Sequence, residues 1–209
     1  GRTAQAVAMR DTDQDLTSLV VVRKDAAIAS IADLRGKVVG VGALDSPQAT
    51  LLPLSHLRAQ GLIPHADFTV RYFDKLGGKH GDHIGGERDA ARALMAGELD
   101  AACVIDGNHL LFTSEGTWPS GSTRILAQTA PYDHCCFTVL AGDAAAAARV
   151  ARFVELLLAM RYDDQAVRPL LDLEGLKAWR PGRTTGYALL NAAVDRFHTI
   201  DAWLARQQR

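Results

Sequence analysis

Residues Gly36–Leu54, GKVVGVGALDSPQATLLPL, decide the architecture. Lys37–Val41 is a short β-branched run, Gly42–Pro47 is rich in turn formers, and from Gln48 the composition turns helical. Ser46 before Pro47 reads as a helix start, with a hydroxyl at the N-cap and a proline at the first helical position. A strand that ends in a loop at a helix N-terminus presents free backbone N–H groups and the positive end of the helix dipole. Such a loop suits an anion or a polar ligand.

The flanking sequence shows no internal repeat but alternates strands and helices. Leu16–Arg23, LTSLVVVR, is a β-branched strand, and Ser30–Leu34 is one capped helical turn. The helix after Pro47 carries Leu51, Leu52, Leu54, Leu57 and Leu62, with Gln60-Gly61 as its stop and Pro64 just beyond. Phe68–Phe73 is the next strand, Glu87–Ala96 a helix, Leu99–Ile105 a buried strand and Asn108–Thr113 a short helix. Thr123–Thr129 and Phe137–Leu140 are further strands. From Asp143 the pattern is helical to about Met160, at Asp163–Leu171, at Gly175–Trp179 and over Tyr187–Arg206.

This alternation predicts an α/β sheet with parallel crossovers, followed by covering helices from the last third of the chain. Ligands of open α/β sheets lie beyond the carboxyl ends of the strands. The loops there are Gly42–Pro47, Asp74–Gly86, Asp106–His109 and Thr129–Cys136.

Bulk properties narrow the function. The 209 residues are 48% hydrophobic and 22% charged, as in an ordinary globular protein, and the net charge of −1 argues against nucleic acid or an anionic membrane as partner. The longest apolar run, Ala144–Met160, is broken by Arg149, Arg152 and Glu155, so an integral membrane protein is not expected. The chain opens on Gly1-Arg2 rather than Met and carries no secretory signal, which reads as a processed, truncated or tagged product. Three cysteines, two of them adjacent, imply no disulfide framework, and Cys103 within AACVI reads as a small buried hydrophobe.

Polar chemistry gathers on the loops. Residues 77–89 hold His80, Asp82, His83, Glu87 and Arg88; residues 106–109 hold Asp106, Asn108 and His109; residues 131–136 hold Tyr132, Asp133, His134, Cys135 and Cys136. Histidine, cysteine and carboxylate are metal-ligand types, yet no CxxC or HExxH spacing is present, and adjacent Cys135 and Cys136 in an extended strand point to opposite faces. No metal and no cofactor is expected. GxGxxG and GxxxxGK[ST] are absent, which argues against a nucleotide phosphate loop. Arg88, near a helix start on the ligand side, is a clamp for a carboxylate or phosphate, or else a surface partner of Glu87 or Asp89.

Four stretches then share a pattern: SLVVVRKDAAIASIADLRGKVVGVG from Ser18, DSPQATLLPLSHLRAQGL from Asp45, RDAARALMAGELDAACV from Arg88, and LLDLEGLKAW from Leu170 followed by Gly186-Tyr187. In this order they resemble the phosphate, phosphite and phosphonate substrate-binding proteins of ABC importers, over nearly the whole chain from about residue 8. The resemblance implies a type II periplasmic-binding-protein fold, with two α/β lobes, two crossing strands and a ligand trapped in an interlobe cleft. It implies a partial first lobe and crossing strand over 1–25, a second lobe over 26–130, and a return strand with C-terminal helices of the first lobe over 131–209.

Family members begin with a further β-α-β-α segment, so this first lobe is expected to lack its N-terminal part. The helices that the segment would cover are then expected to expose apolar faces, which disfavours a monomer. The family's Ser-Thr-Ser run reads Ser46, Pro47 and Gln48 here, a histidine is replaced by Arg88, and an Asn-Asp loop reads His134-Cys135.

The resemblance implies a non-catalytic, periplasmic or otherwise extracytoplasmic protein that captures a small polar, anionic ligand and delivers it to an ABC permease. The expected ligand-binding residues are Ser46, Gln48, Ala49, Arg88, Asp106, Tyr132, His134 and Cys135. Two other readings stand beside it: a metal- or thiol-dependent enzyme using His80, His83, His109, His134 and Cys135, and a cytosolic ligand-sensing module on the same scaffold.

Overall fold

The computed structural model describes residues 3–75, 84–142 and 144–200. His80, Asp82 and His83, the Asp143 cap and the end of the last helix lie outside the described residues. In chain order the strands are β1 (Ala4–Arg10), β2 (Ser18–Arg23), β3 (Val38–Val41), β4 (Thr69–Tyr72), β5 (Ala101–Ile105), β6 (Thr123–Gln128), β7 (Phe137–Leu140) and β8 (Trp179–Pro181). The α-helices are α1 (Leu52–Ala59), α2 (Ile84–Met95), α3 (Asp106–Ser114), α4 (Ala144–Leu158), α5 (Arg168–Glu174) and α6 (Ala188–Phe197). Two compact units result: Gly1–Leu16 with Pro131–Ala188, and Thr17–Ala130 with Leu189–Arg209.

The larger unit holds a five-stranded sheet in the order β4-β3-β5-β2-β6. The predicted parallel crossovers are those that place β3 beside β4 and β5. Strand β2 differs, pairing antiparallel with β5 and with β6. Its link to β3 contains only the single turn Ile31–Leu34, which supplies no crossover helix. The reversal has a useful result. Ser18, at the start of β2, lies opposite Ile105 at the end of β5, and Leu19 lies opposite Gln128 at the end of β6. The opening residues of β2 therefore share an edge with the carboxyl ends of its neighbours.

Alternation along the strands builds one core on each face of this sheet. Val20, Val22, Val39, Val41 and Cys103 pack with Leu54 and Leu57 of α1. Leu19, Val21, Ala102 and Val104 pack with Ala90, Ala91 and Leu94 of α2 and with Phe112 of α3. The last helix joins the first of these cores through Phe197, while Arg196 donates to the Ser55 carbonyl at 2.8 Å and to its hydroxyl at 2.6 Å. The sequence grouped this helix with 131–209; in the structure α6 from Leu189 to Phe197 clusters with the larger unit.

The smaller unit holds an antiparallel sheet, β7-β1-β8. Ala8 and Met9 of the central strand are buried. The sequence pattern missed β1, whose AQAVAMR is alanine-rich with a single β-branched residue, and it read Trp179 into a helix. Three residues, as in β8, are too few for periodicity to register. Helix α5 ends at Gly175 in the left-handed conformation, φ 69°, where the sequence pattern opens a helical piece. Phe153, Leu156 and Leu158 of α4 are exposed. No helix among the described residues is long and apolar enough to cross a membrane.

Candidate ligand-binding site

At the carboxyl edge of the larger unit's sheet, β3 runs into Gly42 and then into a five-residue π-helical turn, Pro47–Leu51, that leads into α1. Ser46 caps this turn as predicted: its Oγ accepts from Ala49 N at 3.2 Å. Gly42 N donates to the Ala49 carbonyl at 3.1 Å, and a Cβ on Gly42 would sit 2.8 Å from the Ala49 methyl. Ser46 and Ala49 are both fully buried. The expected anion donor at Ala49 N is thus already bonded within the loop.

Two consecutive residues, Thr17 just before β2 and Ser18 at its start, fasten this turn and the start of α3. Ser18 Oγ donates to the Gln48 carbonyl at 2.5 Å. Thr17 donates to Asp106 Oδ2 from its hydroxyl at 2.8 Å and from its backbone N at 3.2 Å, and Gln128 Nε2 donates to Thr17 Oγ1 at 3.0 Å. Gln48 and Asp106, both expected ligand residues, are therefore brought to one edge. Thr17 and Ser18 were not singled out, although a polar pair opening an otherwise apolar strand is a readable signal.

Two polar atoms here lack partners. Gln48 Oε1 and His109 Nε2 are shielded from solvent and find no hydrogen-bond partner among the described residues. His109 tilts over Trp118 at 5.1 Å between ring centroids, and burial lowers its pKa, which favours the neutral ring. An unsatisfied buried polar atom costs on the order of 1–3 kcal/mol, so such atoms point to an absent partner.

Glu87 supports the edge from below. It is 1% exposed, and its Oε2 accepts from Ile105 N at 3.0 Å and from Asn108 Nδ2 at 2.9 Å. Burial pushes its carboxyl up to about 7 against the opposing pull of these two bonds. Arg88 turns elsewhere. It grips Glu115 through Nε to Oε1 at 2.7 Å and a terminal N to Oε2 at 3.2 Å, and its guanidinium lies 5.3 Å from the Phe112 ring centroid. Neither Glu87 nor Asp89 is its partner in these bonds.

The smaller unit carries the remaining expected residues. Tyr132 is buried and exchanges two backbone hydrogen bonds of 2.9 Å with Leu16. Asp133, also buried, receives Arg183 through Nε at 2.7 Å and a terminal N at 2.6 Å, and receives Asp15 N at 3.1 Å. Next to it, His134 Nδ1 lies 3.4 Å from Asp13 Oδ1 and 3.2 Å from Cys135 Sγ. Burial alone would lower the His134 pKa; the bonds to Asp13 and Cys135 outweigh it and lift the imidazole to about 9. Asp13 is itself buried and bonded by Arg10 Nε at 2.5 Å. Within DTDQD nothing marks Asp13 apart from its neighbours, and the sequence reading did not find it.

Comparison with known proteins places this arrangement in a family. A family model described as "ABC transporter, phosphonate, periplasmic substrate-binding protein" matches residues 2–187. No curated protein matches the chain. Among solved structures, XAC2383 from Xanthomonas citri bound to ATP is 20% identical, with a TM-score of 0.70 over 95% of this chain and 72% of that one. PhnD1 from Prochlorococcus marinus in complex with methylphosphonate is 16% identical, with a TM-score of 0.68 over 93% and 71%. A binding-protein component of an ABC phosphonate transporter from Pseudomonas aeruginosa is 11% identical, with a TM-score of 0.59 over 99% and 74%. At these identities the structures speak for the type II binding-protein fold, and the family model speaks for descent. The chain belongs to the phosphonate periplasmic substrate-binding proteins of ABC transporters.

Proposed function

We propose that the chain is the solute-capturing component of an ABC importer outside the cytoplasm, and that it binds a small phosphorus oxyanion without transforming it. The observation that carries the ligand proposal is the pair of shielded, unpartnered atoms, Gln48 Oε1 in the π-helical turn after β3 and His109 Nε2 in α3 after β5. A ligand bearing hydroxyl and oxyanion groups supplies what both need: a donor for the Gln48 carbonyl oxygen and an acceptor for a neutral His109 N–H. Asp106 and Gln128, tied through Thr17, add an acceptor and a donor at the same edge. Ser46 and Ala49 serve as supports of the loop in this reading. The ligands named for two structural neighbours, methylphosphonate and ATP, both contain phosphorus oxyanions.

Isothermal titration with phosphate, phosphite, methylphosphonate and small carboxylates tests this. Binding of at least one phosphorus oxyanion is expected, with Gln48→Ala and His109→Ala each weakening it about tenfold, or ~1.4 kcal/mol. Absence of heat with every one of these anions, from folded protein, would sink the ligand proposal. Unchanged affinity in both variants would move the site away from this edge.

A further inference from the structure

A carboxylate oxygen of Asp13, a ring nitrogen of His134 and the Sγ of Cys135 lie within 4.8 Å of one another. The shape of this cluster is informative. In a Cys–His–Asp relay the acid holds one ring nitrogen and the nucleophile uses the other. Here Asp13 and Cys135 both meet Nδ1, at 3.4 and 3.2 Å, while Nε2 is 4.0 Å from the sulfur. That is the wrong geometry for passing a proton through the ring and the right one for three donors converging on a point. Bonds of about 2.0–2.3 Å to a tetrahedral ion place adjacent ligand atoms about 3.3–3.6 Å apart. The two separations to Nδ1 are within a few tenths of this, and the third, from an Asp13 oxygen to Cys135 Sγ, lies within 4.8 Å.

We propose that Asp13, His134 and Cys135 form a binding site for Zn²⁺ in the smaller unit. Carboxylate, imidazole and thiolate are the ligand types that this borderline-soft ion takes, and a three-ligand set leaves a fourth position open. Asp13 and Cys135 also line a cavity of about 160 Å³ together with Met9, Cys136, Glu174 and Trp179. The surrounding bonds hold the ligands in place. Arg10 donates to both oxygens of Asp13, at 2.5 and 3.1 Å, and is itself anchored on the Glu174 carbonyl at 3.1 Å. Tyr187 OH donates to the His134 carbonyl at 2.5 Å. Such outer partners orient metal ligands. The Arg10 cation opposes a divalent ion, and the two anionic ligands, carboxylate and thiolate, outweigh it. Cys136 is not in the set, since its sulfur turns to Thr138 Oγ1 at 3.4 Å. Adjacent side chains of an extended chain face opposite ways.

This site is independent of the oxyanion proposal, and its test uses the metal alone. Reduced, chelator-stripped protein is titrated with Zn²⁺ against a chromophoric chelator, and with Co²⁺ while the absorption spectrum is followed. The expected result is one equivalent bound and an intense near-ultraviolet thiolate-to-cobalt band. Cys135→Ser, a change at an exposed position, should abolish that band and weaken Zn²⁺ by more than about 100-fold, beyond the usual cost of losing an outer partner. Cys136→Ser should preserve both. Failure to bind a full equivalent, a cobalt complex without the thiolate band, or loss of the band in Cys136→Ser rather than Cys135→Ser would each overturn the proposal.

Discussion

Gly186 lies so close to the side chain of Asp133 that a Cβ on the glycine would sit 2.1 Å from both Cγ and Oδ2. Its carbonyl also accepts from Asp133 N at 2.9 Å. The Gly-Tyr pair after the LLDLEGLKAW stretch is therefore part of the same local structure as the PYDHCC loop. Gly186→Ala is expected to destabilise the smaller unit by about 1–3 kcal/mol, the usual cost of overpacking. Urea unfolding of the variant beside wild type measures it. A stability equal to wild type would mean that the loop yields freely.

Asp133 is held well below its ordinary value of 3.8, mainly by the Arg183 guanidinium and further by Asp15 N. A carboxyl with a depressed folded pKa contributes stability above its unfolded value and loses it as the pH falls through the folded one. Melting temperature is accordingly expected to drop below about pH 3.8, and Arg183→Met should flatten that part of the profile while lowering stability at neutral pH. Parallel melts of the two proteins from pH 2 to 7 provide the check.

Glu87 behaves in the opposite sense. Its folded pKa of about 7 lies above the ordinary 4.5, so the folded state binds the extra proton. Stability from this group is present below pH 4.5 and declines as the pH rises toward 7, by up to about 3 kcal/mol. Glu87→Gln keeps an acceptor for Ile105 N and Asn108 and removes the ionisation. The variant should lose this slope and exceed wild type in stability at pH 8, measured by denaturant unfolding across that range.

Arg88 discriminates between two roles. Its guanidinium is engaged by Glu115 on two nitrogens and by Phe112 on its face. Arg88→Ala is therefore expected to change oxyanion affinity less than twofold while lowering thermal stability. A tenfold loss of affinity in titration calorimetry would restore the direct clamp.

The legible parts of this fold were those where pattern and punctuation agree. Ser46-Pro47 marked a helix start because cap and first-turn chemistry are local, and LVVV marked a strand because it is a β-branched run bounded by polar stretches. The direction of β2 was not legible, since period and composition are the same whichever way a strand runs. Strand β1 escaped because alanines blunt its alternation. In the candidate sites the loops were readable as carriers of polar residues, but which atoms meet was not. Arg88 reaches Glu115, 27 positions away, and His134 reaches Asp13 across 121 positions. Such pairings depend on strand order, which no local window contains.

Cys103 sits in the middle of β5, fully buried, with its thiol pushed up to about 12 by burial and by the charge of Glu87. Cys135 is exposed and Cys136 half-buried. The chain thereby contains its own clock. A thiol reagent consumes two sulfurs at the surface and must then wait for the third until the larger sheet opens. The slow phase of labelling times the opening of that sheet alone, without any engineered probe.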